Sequence, residues 1–249
     1  MTTLKRLRGP RIVETEVGST NDVVAARAQQ GAPEGLVVVA ETQTQGRGRH
    51  GRRWHSPAGS GLYVSVLFRP PVAAARLLSL AGGVAICEAV RESTGLAAEI
   101  KWPNDLLAPG GKRKLAGILV EGSAEGDRIE HVVFGYGINV RPGAYPPDLR
   151  NQASSLEEEL GRAVDPAVVL EHTLAALDRR YDDLLAGRSD AILARWVELC
   201  PRARGAKVEW TTGASTRTGT TDGLDAAGAL LVLTPQGRER IVSGDVKWL

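Results

Sequence analysis

Four arginines, Arg47, Arg49, Arg52 and Arg53, fall within seven residues inside the string GRGRHGRRW at 46–54. Glycine lets the backbone turn sharply and turns its N–H groups toward a ligand. Arginine stays charged and offers a planar fork of donors to phosphate or carboxylate. Together they suit a polyphosphate, or a carboxylate joined to a phosphate. No carboxylate occurs between Glu41 and Glu88, whereas Arg69 and Arg76 also fall there, so the segment presents one sign of charge to an anion. The same composition suits a solvated loop, or one that grips nucleic acid. It is not a P-loop: GxxxxGK[ST] is missing from the chain, and no GxGxxG follows a strand and opens a helix. Trp54 closes the string, where an indole stacks on a purine, covers a ligand or simply joins the core.

Three further strings join charge or glycine to regular structure. KWPND at 101–105 sets Asn104 and Asp105 in a turn fixed by Pro103, where a lysine and an aspartate can face a phosphate and its metal, or form an ordinary turn. KLAGILVEG at 114–122 begins with Lys114 and runs into a strand too apolar to be exposed. A lysine there is either held precisely on a rigid element or snorkels from a strand end. Gly117 within that strand, and the two glycines of GYGIN at 135–139, are costly in a strand without a bulge or a closely approaching group. His50, His55, His131 and His172 show no metal-ligand spacing, and no Ser-His-Asp order is convincing, which disfavours a zinc enzyme and a covalent hydrolase.

The elements that must hold these residues belong to a globular chain. It has 249 residues, 43% hydrophobic, with a formal net charge of +2. That balance points to neither nucleic acid nor a membrane surface. Cys87 and Cys200 lie far apart and read as free thiols of a reducing compartment. The opening MTTLKRLRGPRIVE lacks the apolar core of a signal peptide, and no apolar run is read as approaching the roughly 20 residues of a membrane span. A cytoplasmic protein is expected.

Residues 1–18 read as polar and partly extended. A helix follows Ser19 or Thr20 and stops at Gly31. Residues 36–41 form a buried strand, and 42–60 lack periodicity and read as a long loop. Residues 62–70 alternate as a strand. Residues 74–93 form a helix whose Gly82-Gly83 pair implies a closely packed neighbour. AAEIKW, KLAGILVEG and HVVFGYGINV add strands, with a further short one after KWPND. Residues 166–186 form an amphipathic helix with Val168, Val169, Leu170, Leu174, Leu177, Tyr181, Leu184 and Leu185 as its stripe, and 190–199 form a shorter one. From Lys207 onward only short strands remain: KVEW, STRTGT, ALLVL, ERIVS and DVKWL. The order implies an α+β domain with a mixed or antiparallel sheet at 1–203, then a small barrel-like β domain at 204–249.

The order of the strings carries more than any one of them. GSTN, AETQTQGRGRHGRRW, KWPNDL, KLAGILVE, GYGINV and ASSL follow one another, and in this order the chain resembles the biotin protein ligases from Gly18 to about Leu199. The resemblance implies the class II synthetase-like catalytic fold with a small SH3-like C-terminal domain. It implies an ATP-dependent ligase that joins biotin to AMP and passes it to a lysine of a biotin carboxyl carrier protein domain of acyl-CoA or pyruvate carboxylases. Biotin and ATP are then substrates and Mg²⁺ is expected. Only 17 residues precede GSTN, too few for a DNA-binding helix-turn-helix, so a short form without repressor activity is expected, as a monomer or homodimer.

Residue by residue, the resemblance places biotin against Ser19, Thr20, Asn21, Gln43, Gly46, Arg47, Lys114, Gly117 and Gly135. It places the nucleotide or adenylate near Arg49, Arg52, Trp54, Asn104, Lys114 and Asn139, with Asp105 close to the metal. Arg47, Arg49 and Lys114 are expected to act by electrostatics, since a carboxylate must meet an α-phosphate and both are anions. The loop at 44–57 is expected to order over the ligand and keep the reactive anhydride dry. Tyr136 stands where the family has a small or aliphatic residue, and alternation leaves its direction open. The rivals are a lipoate or octanoate ligase of the same fold group, a nucleic-acid-binding protein using the arginine loop, and a non-catalytic homologue.

Overall fold

The computed structural model describes residues 4–126, 128–212 and 215–249. The opening expectation for residues 1–18 therefore includes three, 1–3, that lie outside the described residues. The rest of that segment resolves into β1 (Arg11–Val17), whose mostly exposed side chains mark a sheet edge. Then come α1 (Thr20–Gln29), β2 (Val37–Gln43), β3 (Gly61–Phe68) and α2 (Val72–Thr94). β4 (Glu99–Lys101) and β5 (Asp105–Leu107) form a short hairpin around the KWPND turn, followed by the long pair β6 (Lys114–Glu125) and β7 (Arg128–Asn139). Helices α3 (Leu156–Leu160), α4 (Pro166–Leu185) and α5 (Ser189–Leu199) complete the first unit.

These strands make one seven-stranded sheet in the order β1-β2-β3-β7-β6-β5-β4. β1 and β2 run parallel and every other neighbouring pair is antiparallel, so the sheet is mixed. Its two faces do different work. On one, Phe134, Tyr136 and Ile138 of β7 and Ala116 and Ile118 of β6 join the main core beneath α2, α4 and α5. On the other, α1 covers only the β2-β3-β7 half through Val24, Ala28, Val38, Leu67 and Val133. The rest of that face is left open beside the N-terminus of α1. Tyr136 belongs to the helix side, where its hydroxyl meets Thr173 Oγ1 of α4 at 2.7 Å.

α2 packs so closely on the sheet that a Cβ on Gly82 would stand 2.1 Å from the ring of Phe134. That is the neighbour the glycine pair implied. By length and composition α2 is apolar enough to cross a membrane, which corrects the expectation that no run approaches such a span. Its most apolar window is 72% buried, as suits a core helix.

Three other expectations change. Residues 42–60 are not a structureless loop: β2 runs to Gln43, Arg47 bridges Arg53, and a 3₁₀ turn occupies Arg49–Gly51. Sequence periodicity cannot see so short an arginine hairpin, because its order comes from cross-chain bonds such as Gly48 N–H to Arg52 O at 2.6 Å and Trp54 N–H to Gly46 O at 2.9 Å. On α4, Val168 leaves the expected stripe and is exposed, because the buried face centres on Val169, Leu174, Leu177 and Tyr181. The five-residue α3 was not expected. It is set by a capping box between Ser155 of the string ASSL and Glu158 just beyond it.

After Cys200 the chain builds a second sheet from β8 (Arg204–Thr212), β9 (Ser215–Leu224), β10 (Leu230–Thr234), β11 (Gly237–Ile241) and β12 (Val246–Trp248). It is five-stranded and antiparallel, in the order β11-β10-β9-β8-β12. The expected strand ERIVS ends early, and Val242 beyond it is 70% exposed. Trp102 of the KWPND turn donates to the Gly228 carbonyl at 3.1 Å, tying this sheet to the first unit. Cys87 and Cys200 are unpaired and buried, and burial pushes both thiols up to about 12, which makes them inert packing groups.

Candidate functional site

The open half of the sheet is the floor of a cavity of about 940 Å³. That is large enough for a drug-sized or nucleotide-sized ligand. The floor exists because three positions carry no side chain. A Cβ on Gly135 would meet Asn21 Oδ1 at 2.1 Å, one on Gly137 would meet Trp54 Nε1 at 2.4 Å, and one on Gly117 would meet Trp54 and the Lys114 side chain at 3.0–3.1 Å. The strand glycines thus allow the approach that the sequence implied.

One end of the cavity is a chain of polar groups at the start of α1. The backbone N–H of Thr20 donates to Gln43 Oε1 at 2.9 Å, and Gln43 Nε2 donates to Ser56 Oγ at 2.9 Å. The Ser65 hydroxyl lies 2.7 Å from Thr20 Oγ1 and 2.6 Å from Asn21 Oδ1. Asn21 Nδ2 donates to Glu121 Oε2 at 2.6 Å. Ser19, Thr20, Asn21 and Ser65 are all buried. Such fixed donors and acceptors can read a small polar ring, helped by the positive end of the helix dipole at the start of α1.

The other end is cationic. Lys114 Nζ lies 2.6 Å from Asp105 Oδ1 and 5.3 Å from the centroid of Trp54. Lys114 is held at its backbone: its N–H donates to the Gln152 carbonyl at 2.7 Å, and its own carbonyl accepts from Ser154 N–H at 3.0 Å. Asn139 Nδ2 donates to Ser154 O at 2.9 Å and braces the same corner. Arg49 Nη1 donates to Asn104 Oδ1 at 3.3 Å, and Asn104 Nδ2 donates to Ile118 O at 2.7 Å. The arginine hairpin is therefore docked on the KWPND turn.

Arg47 points elsewhere. Its guanidinium clasps Asp22 with both nitrogens, at 2.7 and 2.6 Å, and stands 3.5 Å from Glu121. The bond from Arg47 holds the Asp22 carboxyl below its ordinary range. Arg52 pairs with Asp245, just before β12 of the second sheet.

Ser19, Thr20, Asn21, Gln43, Arg47, Arg49, Arg52, Trp54, Asn104, Asp105, Lys114, Gly117, Gly135 and Asn139 all line this one cavity. Gly46 does not. It lies beneath the hairpin, where a Cβ would meet Trp54 O at 2.6 Å. Trp54 lies against Gly117 and Gly137, on the glycine floor of the cavity. Its Nε1 is buried without a hydrogen-bond partner among the described residues. Asp105 is occupied by Lys114, and the described residues hold no group of three metal-ligating side chains.

Sequence reasoning read the lysine of KWPND, Lys101, as able to face a phosphate, and it lines the cavity; several lining residues were missed: Gly137, Tyr145, Leu149 and Gln152, and Asp245, Lys247 and Trp248 in and beside β12. Gly137 sits inside a string already singled out. Apolar Tyr145 and Leu149 amid the prolines of GAYPPDL were a usable signal. Nothing local marked the β12 residues, which reach the cavity through the fold.

Comparison with known proteins agrees along most of the chain. Residues 14–139 match the Biotin/lipoate A/B protein ligase family, and 206–247 match the Biotin protein ligase C terminal domain. The "Bifunctional ligase/repressor BirA" of Bacillus subtilis is 37% identical over 93% of this chain and 71% of its own length. The "Biotin--[acetyl-CoA-carboxylase] ligase" of Mycobacterium tuberculosis is 37% identical over 91% of this chain and 80% of its own. Among solved structures, the biotin protein ligase from Aquifex aeolicus in complex with biotin and ATP is 29% identical, with a TM-score of 0.77, covering 96% of this chain and 98% of that one.

Proposed function

The chain belongs to the biotin/lipoate A/B protein ligase family, and from that premise we propose that its cavity condenses biotin with ATP and passes the biotinyl group to a lysine of a biotin carboxyl carrier domain. The observation that carries this reading is the cavity itself. A side-chain-free glycine floor joins a polar pocket built by Thr20, Asn21 and Gln43 to a cationic corner built by Arg49 and Lys114. One end suits a ureido ring, the floor suits an aliphatic chain, and the corner suits a carboxylate beside a phosphate.

The chemistry needs no protein nucleophile. A biotin carboxylate oxygen attacks the α-phosphorus, and pyrophosphate leaves with the electrons of the broken P–O bond. The neutral amine of the carrier lysine then attacks the acyl carbon, and AMP leaves. Lys114, rigidly held at the mouth of β6, offsets the repulsion between carboxylate and α-phosphate. Arg49, fixed on Asn104, supports the same charge. Arg47 acts through its place in the hairpin, since its guanidinium serves Asp22 and Glu121. Trp54 forms a wall over the valeryl chain. Arg52, Asn104 and Asn139 complete the nucleotide side. Mg²⁺ arrives as part of the Mg-ATP substrate: Asp105 is held by Lys114, and the described residues hold no group of three metal-ligating side chains. We divide the chain into a catalytic unit at 1–203 and a second unit at 204–249, supported by the start of the second sheet at Arg204.

The test is to incubate the full chain with biotin, Mg-ATP and a carrier domain and to weigh the carrier intact. The reading expects one added biotinyl group per carrier, with labelling at least about 100-fold slower for Lys114→Ala. An unlabelled carrier, or one labelled by lipoate or octanoate in place of biotin, would overturn it.

A further inference from the structure

Glu121 stands in the string KLAGILVEG, but the proposed function gives it no task beyond its place beside Arg47. It sits on β6 directly across from Val133 of β7, on the sheet face that α1 covers. Its side chain is half-exposed and stands outside the cavity lining. It does reach one residue of that lining: Asn21 Nδ2 donates to Glu121 Oε2 at 2.6 Å. Asn21 is buried and belongs to the polar end of the cavity.

A carboxylate only accepts hydrogen bonds, so the end of the Asn21 amide that faces it is the NH2. The other end, Oδ1, is thereby turned toward Ser65 Oγ at 2.6 Å and over the glycine floor, 2.1 Å from where a Cβ on Gly135 would stand. The cavity meets an acceptor there. Among the described residues, no other contact fixes that choice. Ser65 Oγ lies 2.7 Å from Thr20 Oγ1, which lies 3.1 Å from Gln43 Oε1. With the amide turned over, Asn21 would donate to Ser65, Ser65 to Thr20, and Thr20 to Gln43 Oε1, and every contact of that chain would still be made. Glu121 forbids the reversal, because its lone pairs would then face those of Oδ1. Arg47, 3.5 Å away, balances the charge that Glu121 brings.

Resting on the function proposed for this cavity, we propose that Glu121 is a positioning residue that sets specificity: by holding Asn21 with its oxygen toward the cavity, it makes that corner an acceptor for a ring N–H of biotin. A cyclic urea has N–H groups to offer, whereas a dithiolane ring or a plain alkyl chain has none. A site built around such a contact discriminates strongly against acids that lack the donor.

The test is titration calorimetry of biotin into the full chain, without ATP, for Glu121→Leu, Asn21→Ala and the double variant. Glu121→Leu should raise the Kd for biotin about tenfold, as a ligand N–H loses its fixed acceptor. Pyrophosphate release at saturating biotin should keep its kcat, because Lys114 and Arg49 are untouched. Asn21→Ala should bind about as weakly, and adding Glu121→Leu to it should cost nothing more, because Glu121 acts through Asn21. Glu121→Ala, run beside it, should behave alike and decides the matter if Glu121→Leu does not fold. A Glu121→Leu chain that binds biotin like the parent overturns the proposal. So does a loss of the same size that persists once Asn21 is gone, since a merely structural carboxylate would act without Asn21. A parent chain that binds no biotin sinks the proposed function and this proposal with it. A parent that binds biotin, with indifferent Glu121 variants, sinks this proposal alone.

Discussion

At the scale of single residues, the site depends on what is left out as much as on what is present. Gly137 supplies no Cβ, and Trp54 Nε1 occupies that space, 2.4 Å from where the Cβ would stand. The backbone of β7 is fixed on both sides by β3 and β6, so a methyl group there must push the indole and not the strand. Gly137→Ala should therefore raise the KM for biotin by about tenfold or more, because a wall displaced by an ångström misplaces the chain lying against it. Biotin titrations of pyrophosphate release would show this, and an unchanged KM would detach the glycine floor from the ligand. Much of this scale was legible in the sequence. Arg49, Lys114 and Asn104 stand in short strings whose chemistry is local, and the costly strand glycines announced a close approach. The task of Arg47 was not legible. Its partners Asp22 and Glu121 lie 25 and 74 positions away, and only the fold brings them within reach of its guanidinium.

At the scale of elements, the site is held open by how tightly the opposite face of the sheet is closed. α2 lies so near β7 that Gly82 touches the ring of Phe134, a fully buried side chain. Alanine at 82 would gain about 1 kcal/mol of helix propensity. It would also force a methyl group to within 2.1 Å of a ring that has nowhere to go, and overpacking of that kind costs about 1–3 kcal/mol. An overlap this deep belongs at the upper end of that cost, so the clash should win and Gly82→Ala is expected to destabilise the chain by up to about 2 kcal/mol in urea or guanidinium unfolding. A stabilised variant would mean that the helix stands farther from the sheet than described. The long helices and buried strands were legible because 3.6- and 2-residue periodicities persist over whole elements. The arginine hairpin and α3 were not. Each is shorter than a readable period, and each is fixed by bonds such as Arg49 to Asn104, or Ser155 to Glu158, that depend on particular partners.

At the scale of the whole molecule, two sheets share one cavity. The first unit supplies its floor and both ends, and β12 of the second sheet brings Lys247 and Trp248 to its rim, with Asp245 just before the strand. The Arg52–Asp245 pair ties the arginine hairpin to that sheet. The sequence showed that a small β unit follows Cys200, but a strand of three residues gave no sign that it returns to the site. All these parts converge on one claim, that this cavity joins a biotin carboxylate to the α-phosphate of ATP. The most direct test omits the carrier. The full chain is mixed with biotin and Mg-ATP, and the bound small molecule is identified by mass spectrometry after rapid separation. The account predicts biotinyl-5′-adenylate on the protein, formed with biotin and much less in Lys114→Ala. Unreacted ATP and biotin alone, or an adenylate formed only from lipoate or octanoate, would contradict it.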